Sequence, residues 1–254
     1  MNIKTNKYCL FLLLIFLTTL GFSACGVDSG TTGNGNLDIQ STFIQEEGEH
    51  LDIDVEIPKL SGFPNEKELN EKITSEMEAA VAEVKDAAAM MSEQGSNFSA
   101  TLHSNYQYFN SEDIASVWIS WDNYTGGAHG LYWIDSYTFN TATGELYSFP
   151  QLFKEGSRGL ENVINKIIKE IESNDSYFET AVETVNSYGG NFNFLINGDQ
   201  IIVYFPLYEI APYVAGIQGF TFTLEELAQD LKPEITNAME GQEPKEILYL
   251  QREP

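Results

Sequence analysis

Residues 100–124, ATLHSNYQYFNSEDIASVWISWDNY, decide the fold because they carry two runs in which apolar and polar residues alternate. The first run lies between residues 98 and 108, and the second lies between residues 115 and 121. Alternation with a period of two is typical of β-strands. We therefore predict two neighbouring antiparallel strands that are joined by a turn near Glu112.

The sequence on both sides of these runs predicts further strands. A Gly-rich loop at residues 124–130 leads into a strand at residues 131–140, and a turn then leads into a returning strand at residues 145–149. Upstream, residues 51–57 alternate strictly and follow a hairpin partner at residues 39–46. Strands in hairpin-sized groups, rather than in strict strand–helix alternation, indicate an α+β fold with a mainly antiparallel sheet and helices packed on it.

The longest predicted helix begins after Asn65 and continues to about residue 92. Glu68 lies three residues after Asn65, a spacing that is typical of a capping box. One face of this segment is apolar at helical spacing, which predicts a helix that packs on the sheet. Its apolar positions are Leu69, Ile73, Met77, Ala80, Val81, Val84, Ala88 and Met91.

The C-terminal third predicts a second group of helices and strands. Two amphipathic helices are expected within residues 160–185, and residues 197–199, NGD, predict a tight hairpin between two short strands. A last strand is expected at residues 217–222. Thr223 with Glu226 then predicts the capped start of a short helix.

The N-terminus resembles a lipoprotein signal. Two lysines precede an apolar run at residues 9–20, which is shorter than the roughly 20 residues of a membrane-spanning helix. Residues 23–25, SAC, resemble a bacterial lipobox, and we therefore predict a lipid anchor on Cys25. Phe22 departs from the Leu that is usual at its position. The alternative is an ordinary signal peptide cleaved at the same position, which leaves a free thiol. Residues 26–36 are rich in Gly, Ser, Thr and Asn, which is typical of a flexible tether.

The acidic balance limits the classes of partner. The chain has 254 residues, with 13 Lys and Arg against 38 Asp and Glu, and a formal net charge of −25. Cleavage after residue 24 removes two lysines and no acid, so the remaining 230 residues carry −27. Such a charge argues against nucleic acid as a partner and against docking on anionic lipid. It favours cations, whether metal ions, cationic peptides or basic proteins.

The sequence contains no complete catalytic or cofactor motif. HExxH, GxSxG, P-loop and CxxC patterns are absent, so we predict neither an enzyme nor a cofactor. Asp52, Asp54 and Glu56 alternate along a predicted strand and lack the Gly and terminal Glu of a calcium-binding loop. This pattern favours a solvated strand face, and we predict no metal site.

His129, in the Gly-rich loop, is the most informative of the three histidines. It lies close in sequence to Asp122, so one interpretation is a general base that the carboxylate orients. The favoured alternative is that the imidazole braces a sharp turn by bonding to backbone groups. Trp118 and Trp121 lie shortly before the loop and are three positions apart, so we expect them on opposite faces of their strand.

Three motifs, in the expected order, resemble one family of bacterial surface domains. The first is IDVEIPKLSG at residues 53–62, and the second combines the loop YTGGAHG with YTFNTATG at residues 137–144 and Leu152-Phe153. The third is FPLYEIAPYVAG at residues 205–216. These segments are similar to the RsiV-like and PdaC N-terminal-like extracytoplasmic domain family. That family includes the ectodomain of a lysozyme-sensing anti-sigma factor and the non-catalytic region of a peptidoglycan deacetylase.

The resemblance, over about residues 50–231, implies an α+β fold and a non-catalytic binding role at the cell envelope. It implies a basic protein such as lysozyme as a ligand. The chain lacks the sigma-binding segment and the deacetylase domain of those relatives, so we expect neither of their activities. The expected organisation is a signal peptide (1–24), a tether (25–37), a PdaC N-terminal-like strand–helix part (38–93) and an RsiV-like α+β part (94–254) that forms one compact unit with it.

The leading hypothesis is therefore a lipid-anchored, extracytoplasmic binding protein at the cell membrane, with a basic protein as its ligand. The candidate ligand-binding residues are Tyr124, His129, Tyr208, Glu209 and Tyr213. The alternative is a peptidoglycan-directed glycan binder, or a hydrolase- or deacetylase-associated envelope protein, in which aromatic side chains hold sugars and His129 or Glu209 supplies the chemistry. A third interpretation is a scaffold whose aromatic patch contacts another envelope protein.

Overall fold

A five-stranded sheet with the order β1-β2-β3-β4-β5 lies at the centre of the computed structural model, which describes residues 37–247. The predicted signal peptide, the predicted lipidation site Cys25 and nearly all of the predicted tether lie outside the described residues. No helix among residues 37–247 has the length and hydropathy needed to cross a membrane. The strands are β1 Asp38–Gly48, β2 Leu51–Ser61, β3 Ala100–Ser111, β4 Ile114–Tyr124 and β5 Leu131–Asn140.

The strands β3, β4 and β5 form the antiparallel meander that the alternating runs predict. β3 pairs with β4, and β4 pairs with β5, each in antiparallel register. The turn between β3 and β4 contains Glu112, whose φ of 50° lies in the left-handed region. The position of this turn and the bounds of β5 confirm the prediction, because hairpins depend on local sequence and short turns.

The β1–β2 hairpin joins this meander through a parallel pair. β1 and β2 are antiparallel, as predicted, but residues 51–55 of β2 run parallel to residues 100–104 of β3. Helix α1, Glu66–Glu93, makes the crossover between them. Its 28 residues carry the chain back along the sheet, so β3 begins at the same end as β2. The prediction of a mainly antiparallel sheet is confirmed, with this pair as the exception.

Helix α1 covers one face of the five-stranded sheet with the apolar stripe that its sequence predicts. Of the eight predicted positions, all except Ala80 are buried. They pack against apolar side chains of β2, β3 and β4, including Val55, Leu102 and Val117. The apolar face of α1 and the apolar side chains of the strands therefore form one core.

The predicted capping box at the start of α1 is wrong. Asn65 has a left-handed backbone, with φ 61° and ψ 15°, and its side chain makes no capping hydrogen bond. Tertiary packing fixes this entry, because a Cβ on Gly144 would lie 1.9 Å from the Pro64 carbonyl oxygen. The chain before α1 is thus pressed against a distant turn, and Asn tolerates the resulting conformation. The Asn70 side chain instead ties α1 to β2, since it both donates to and accepts from the Leu60 backbone.

A three-stranded sheet and four further helices form a second layer, which packs on β3, β4 and β5 at the opposite face of the five-stranded sheet. The predicted hairpin at residues 197–199 and the capping box of Thr223 with Glu226 are confirmed. Helix α5 has no counterpart in the prediction. The elements are α2 Gly159–Glu172, α3 Ala181–Ser187, β6 Asn193–Asn197, β7 Gln200–Phe205, β8 Gln218–Thr223, α4 Leu224–Leu227 and α5 Pro233–Met239.

The returning strand predicted at residues 145–149 is wrong. This segment forms a single bridge, between Phe139 and Leu146, and then enters a short 3-10 helix at Phe149–Leu152. Pro150 explains the difference, because proline has no N–H for a strand ladder and is favoured at the first position of a helix. The alternation of apolar residues here reflects packing of a turn and not a strand.

The strand β4 is buried on both faces and holds the two layers together. Trp121 packs on the α1 side and Trp118 packs on the side of the three-stranded sheet, which confirms that they lie on opposite faces. Ser116 accepts a hydrogen bond from the Ile196 N–H of β6 at 3.0 Å, and its hydroxyl lies 2.9 Å from that of Thr138. A buried polar contact of β4 with β6 therefore links the two sheets.

Removal of the Ser116 hydroxyl should weaken this link between the sheets. Ser116→Ala leaves the Ile196 N–H without its acceptor, which should lower the free energy of unfolding by about 1–3 kcal/mol. Ser120 is a matched control, because it is also buried on β4 and its hydroxyl has no hydrogen-bond partner among residues 37–247. Ser120→Ala should leave stability unchanged or higher. Equal losses in chemical denaturation of the two variants would contradict the link.

The side chain of Asp135 should give stability a pH dependence. Burial, together with the nearby charge of Glu76, raises the pKa of Asp135 above its ordinary 3.8. The folded state then binds a proton on Asp135 more tightly than the unfolded chain does. The stability that Asp135 contributes therefore falls as the pH rises from 3.8 through the raised pKa of the folded state. The Trp133 indole N–H donates to Asp135 at 3.2 Å, a contact that an amide oxygen can keep.

Asp135→Asn should therefore be more stable, relative to the wild type, at about pH 7 than at about pH 4. Thermal unfolding at the two pH values measures this difference. Asp175→Asn makes the same change of charge at an exposed position and serves as the control. If the Tm difference between Asp135→Asn and the wild type is the same at both pH values, ionisation of Asp135 does not contribute.

Candidate functional site

The Gly-rich loop between β4 and β5 places His129 at the surface. Gly126 and Gly127 have φ values of 108° and 99°, a region that favours glycine. A Cβ on Gly130 would lie 2.4 Å from the carbonyl oxygen of Asn123, so the two ends of the loop approach each other as only glycine allows. The loop therefore turns sharply and directs His129 away from the sheet.

Both ring nitrogens of His129 are hydrogen-bonded. Nδ1 lies 2.9 Å from the Gly130 carbonyl oxygen, which can only accept, so Nδ1 carries a proton. Nε2 lies 3.0 Å from the Tyr208 hydroxyl, which donates to it when the ring is neutral. The interpretation that Asp122 orients His129 is wrong, because these contacts occupy both nitrogens and Asp122 lies 3.2 Å from Nδ1 of His103.

Two more tyrosines complete a cluster of rings around His129. The Tyr213 ring stacks on the imidazole, with 3.9 Å between the centroids, and its hydroxyl donates to the Gly130 carbonyl at 2.9 Å. Tyr132 meets Tyr213 edge-on at 6.1 Å, and Tyr208 lies 5.6 Å from Tyr213. We call His129, Tyr132, Tyr208 and Tyr213 the aromatic cluster. It joins the β4–β5 loop to the segment between β7 and β8.

Tyr208 adopts a strained backbone conformation in this cluster. Its φ of 66° is left-handed, which costs a residue other than glycine roughly 1–2 kcal/mol. The residue nevertheless stays 49% exposed, so little burial offsets the strain. Strained residues that present a side chain to solvent are typical of functional surfaces.

The other two predicted residues, Tyr124 and Glu209, make different contacts. The Tyr124 hydroxyl donates to the Gly127 carbonyl at 3.0 Å, and its ring contacts Phe98 in a groove of about 460 Å³ beside the end of α1. Glu209 accepts a hydrogen bond from Tyr188, and burial of that ring together with the charge of Glu209 raises the pKa of Tyr188 to about 12. The fold thus brings three of the five predicted residues together.

A row of polar side chains crosses the sheet from the aromatic cluster toward β1. Asp54, His103, Asp122 and Tyr132 are successive register partners on β2, β3, β4 and β5, and register partners share one face of a sheet. His103 also lies 3.5 Å from Asp52 through Nε2. We call Asp52, Asp54, His103 and Asp122 the acidic row. Sequence reasoning missed His103 in this role, because the parallel β2–β3 pairing is what places it between two carboxylates.

The two groups of residues differ in what they can do chemically. The aromatic cluster offers ring faces, which bind cations or sugar rings, and an imidazole that can accept a proton. The acidic row offers carboxylates that attract cations. Within residues 37–247, no three His, Cys, Asp or Glu side chains come together as a metal ion would need.

Two family models match separate parts of the chain. Residues 44–132 match the family described as Deacetylase PdaC, and residues 150–225 match DUF3298, described as a protein family of unknown function. These matches confirm the resemblance that the three sequence motifs indicate. His129 lies in the first matched segment, and Tyr208 and Tyr213 lie in the second, so the aromatic cluster is built from both.

Individual relatives are distant. A protein of Mycobacterium tuberculosis named esterase Rv3036c is 21% identical over 208 residues, which is 80% of this chain and 89% of that protein. The crystal structure of a DUF3298 family member from Bacteroides fragilis is 18% identical, with a TM-score of 0.57, and covers 82% of this chain and 99% of its own. A DUF3298 family protein from Pseudomonas aeruginosa is 14% identical, with a TM-score of 0.46 and coverage of 79% and 96%. The Bacteroides fragilis structure supports the α+β fold.

Proposed function

We propose that this chain, which joins a PdaC-like segment to a DUF3298-like segment, is an envelope-associated binding protein for a basic protein ligand. Lysozyme is the most concrete ligand, because the sequence motifs resemble a lysozyme-sensing ectodomain. The proposal includes an extracytoplasmic location, with a lipid anchor on Cys25 at the cell membrane. The observation that carries it is the exposed aromatic cluster at the end of the acidic row.

The acidic row would supply the charge that attracts such a ligand. The side chains of Asp52 and Asp122 are 53% and 41% exposed, so a partner can reach them. Complementary charge raises the rate of association and makes it sensitive to salt. The net charge of −25 acts in the same direction over longer distances.

The aromatic cluster would supply contact area and specificity. Tyrosine is enriched among the residues that contribute most to protein interfaces. Tyr208 is 49% exposed, and Leu131 and Val214, which follow Gly130 and Tyr213 in the chain, are 43% and 72% exposed. A Lys or Arg side chain of the ligand that stacks on a tyrosine ring would gain a cation–π interaction. The same surface therefore offers both apolar contact and affinity for cations.

Calorimetric titration with lysozyme tests this proposal on the full-length protein in detergent. We expect binding at low salt that weakens as salt is added, because exposed charges are screened. Tyr213→Ala should weaken the affinity by about tenfold or more, as expected for a central aromatic residue. Tyr108→Ala is the control, since Tyr108 is 41% exposed on β3 and lies outside the aromatic cluster. Absence of binding at low salt, or equal effects of the two substitutions, would overturn the proposal.

Ester hydrolysis is a second candidate function, favoured by the similarity to a protein named esterase. In this chain, the Tyr208 hydroxyl donates to Nε2 of His129 at 3.0 Å. When the imidazole is neutral and its Nδ1–H donates to the Gly130 carbonyl, Nε2 can accept the proton of the Tyr208 hydroxyl as that hydroxyl attacks an ester. The arrangement is thus compatible with acyl transfer, although the sequence carries no GxSxG motif.

Turnover of p-nitrophenyl acetate distinguishes this second function from simple binding. If His129 is the base, His129→Ala should lose about 100-fold or more of the activity. His50→Ala should keep the activity. His50 lies in the β1–β2 turn, outside the aromatic cluster, and its ring contacts the carbonyl oxygen of Phe98. A wild-type rate no higher than that of buffer would exclude esterase activity toward this substrate class.

A further inference from the structure

The outer edge of β1 is long and regular. β1 is the last strand of its sheet, so among residues 37–247 no strand pairs with its outer side. Its eleven residues pair one to one with β2, from Asp38 opposite Ser61 to Gly48 opposite Leu51, without a bulge. The strand also contains no Lys and no Pro, which are residues that commonly blunt a sheet edge. The backbone of β1 is therefore suited to pair with an added strand.

The side chains of β1 are mostly in solvent. Only Ile39 and Ile44 are partly buried, and all other positions are exposed. Phe43, in the middle of the strand, is 59% exposed and lies opposite Glu56 in the register. An exposed aromatic residue on an edge strand offers a cross-strand contact to a newly added strand.

The charge of the β1–β2 hairpin selects the kind of strand that can be added. Glu47 lies directly opposite Asp52, so two like charges face each other across the hairpin. A second copy of β1 would add more negative charge, which argues against self-association through this edge. A strand rich in Lys or Arg would neutralise it. The acidic residues of the hairpin are Asp38, Glu46, Glu47, Glu49, Asp52, Asp54 and Glu56, against Lys59 as the basic one.

We propose that the β1 edge binds an extended, basic segment of a partner protein as a sixth strand of the sheet. Backbone hydrogen bonds would provide the affinity, and the acidic side chains would select Lys and Arg. At about 3.3 Å per residue, the edge is roughly 36 Å long and accommodates about eleven residues of the partner. This inference goes beyond the proposed function, because it requires neither the aromatic cluster nor lysozyme.

A pair of synthetic ligands tests the backbone part of this inference on the full-length protein in detergent. The first is an eleven-residue peptide of alternating Lys and Val, and the second is a peptoid with the same side chains and no backbone N–H. We expect the peptide to bind at low salt and the peptoid to bind about tenfold more weakly or worse. Hydrogen exchange of the β1 amides should slow when the peptide binds. Equal affinities, absence of peptide binding or unchanged exchange in β1 would overturn the inference.

Two lysine substitutions test its location. Phe43→Lys places a blunting charge on the edge and should weaken peptide binding by about tenfold. Met90→Lys is the matched control, because Met90 is also 59% exposed and the change of charge is the same, but it lies on α1. Equal effects of the two substitutions would place the peptide elsewhere. Weaker peptide binding by Tyr213→Ala would place the peptide at the aromatic cluster of the proposed function and would also overturn the inference.

Discussion

The burial of β4 on both faces is the constraint on which the rest of the structure depends. A strand with apolar side chains on both faces needs a layer on each side, and α1 and the three-stranded sheet provide these layers. The β4–β5 loop leaves this strand at the boundary between the layers, and there His129 meets Tyr208 and Tyr213 of the second layer. The aromatic cluster therefore exists only because the two layers pack together.

The sequence predicts those parts of the fold that depend on local pattern. Alternation identifies the meander, helical spacing identifies the buried face of α1, and turn residues identify the hairpins. The errors occur where a distant contact decides. Asn65 leaves the capping-box conformation because Gly144 presses on the residue before it, and the parallel β2–β3 pair exists because α1 crosses the sheet. Neither contact leaves a signal in the neighbouring residues.

In the candidate site, too, the sequence predicts the local features and does not predict the contacts between distant residues. The Gly-rich loop and the segment at residues 205–216 are recognisable as motifs, and three residues from them do meet. The partner of His129 is not predictable from proximity in the chain. Asp122 is seven residues away but contacts His103, whereas Tyr208 is 79 residues away and contacts His129. Strand register places Asp122 beside His103, and packing of the two layers places Tyr208 beside His129. Both pairings are therefore properties of the whole fold.

The register of the β1–β2 hairpin places acidic side chains opposite each other. Folding alone does not favour Glu47 opposite Asp52, since like charges that face each other across a hairpin weaken it. The buried apolar residues of β2 hold the hairpin in place against this repulsion. A basic ligand at the same strands would remove the repulsion and gain the attraction of both carboxylates. Binding of such a ligand would stabilise the folded state by linkage, and the charges that weaken the unbound hairpin would then strengthen the proposed complex.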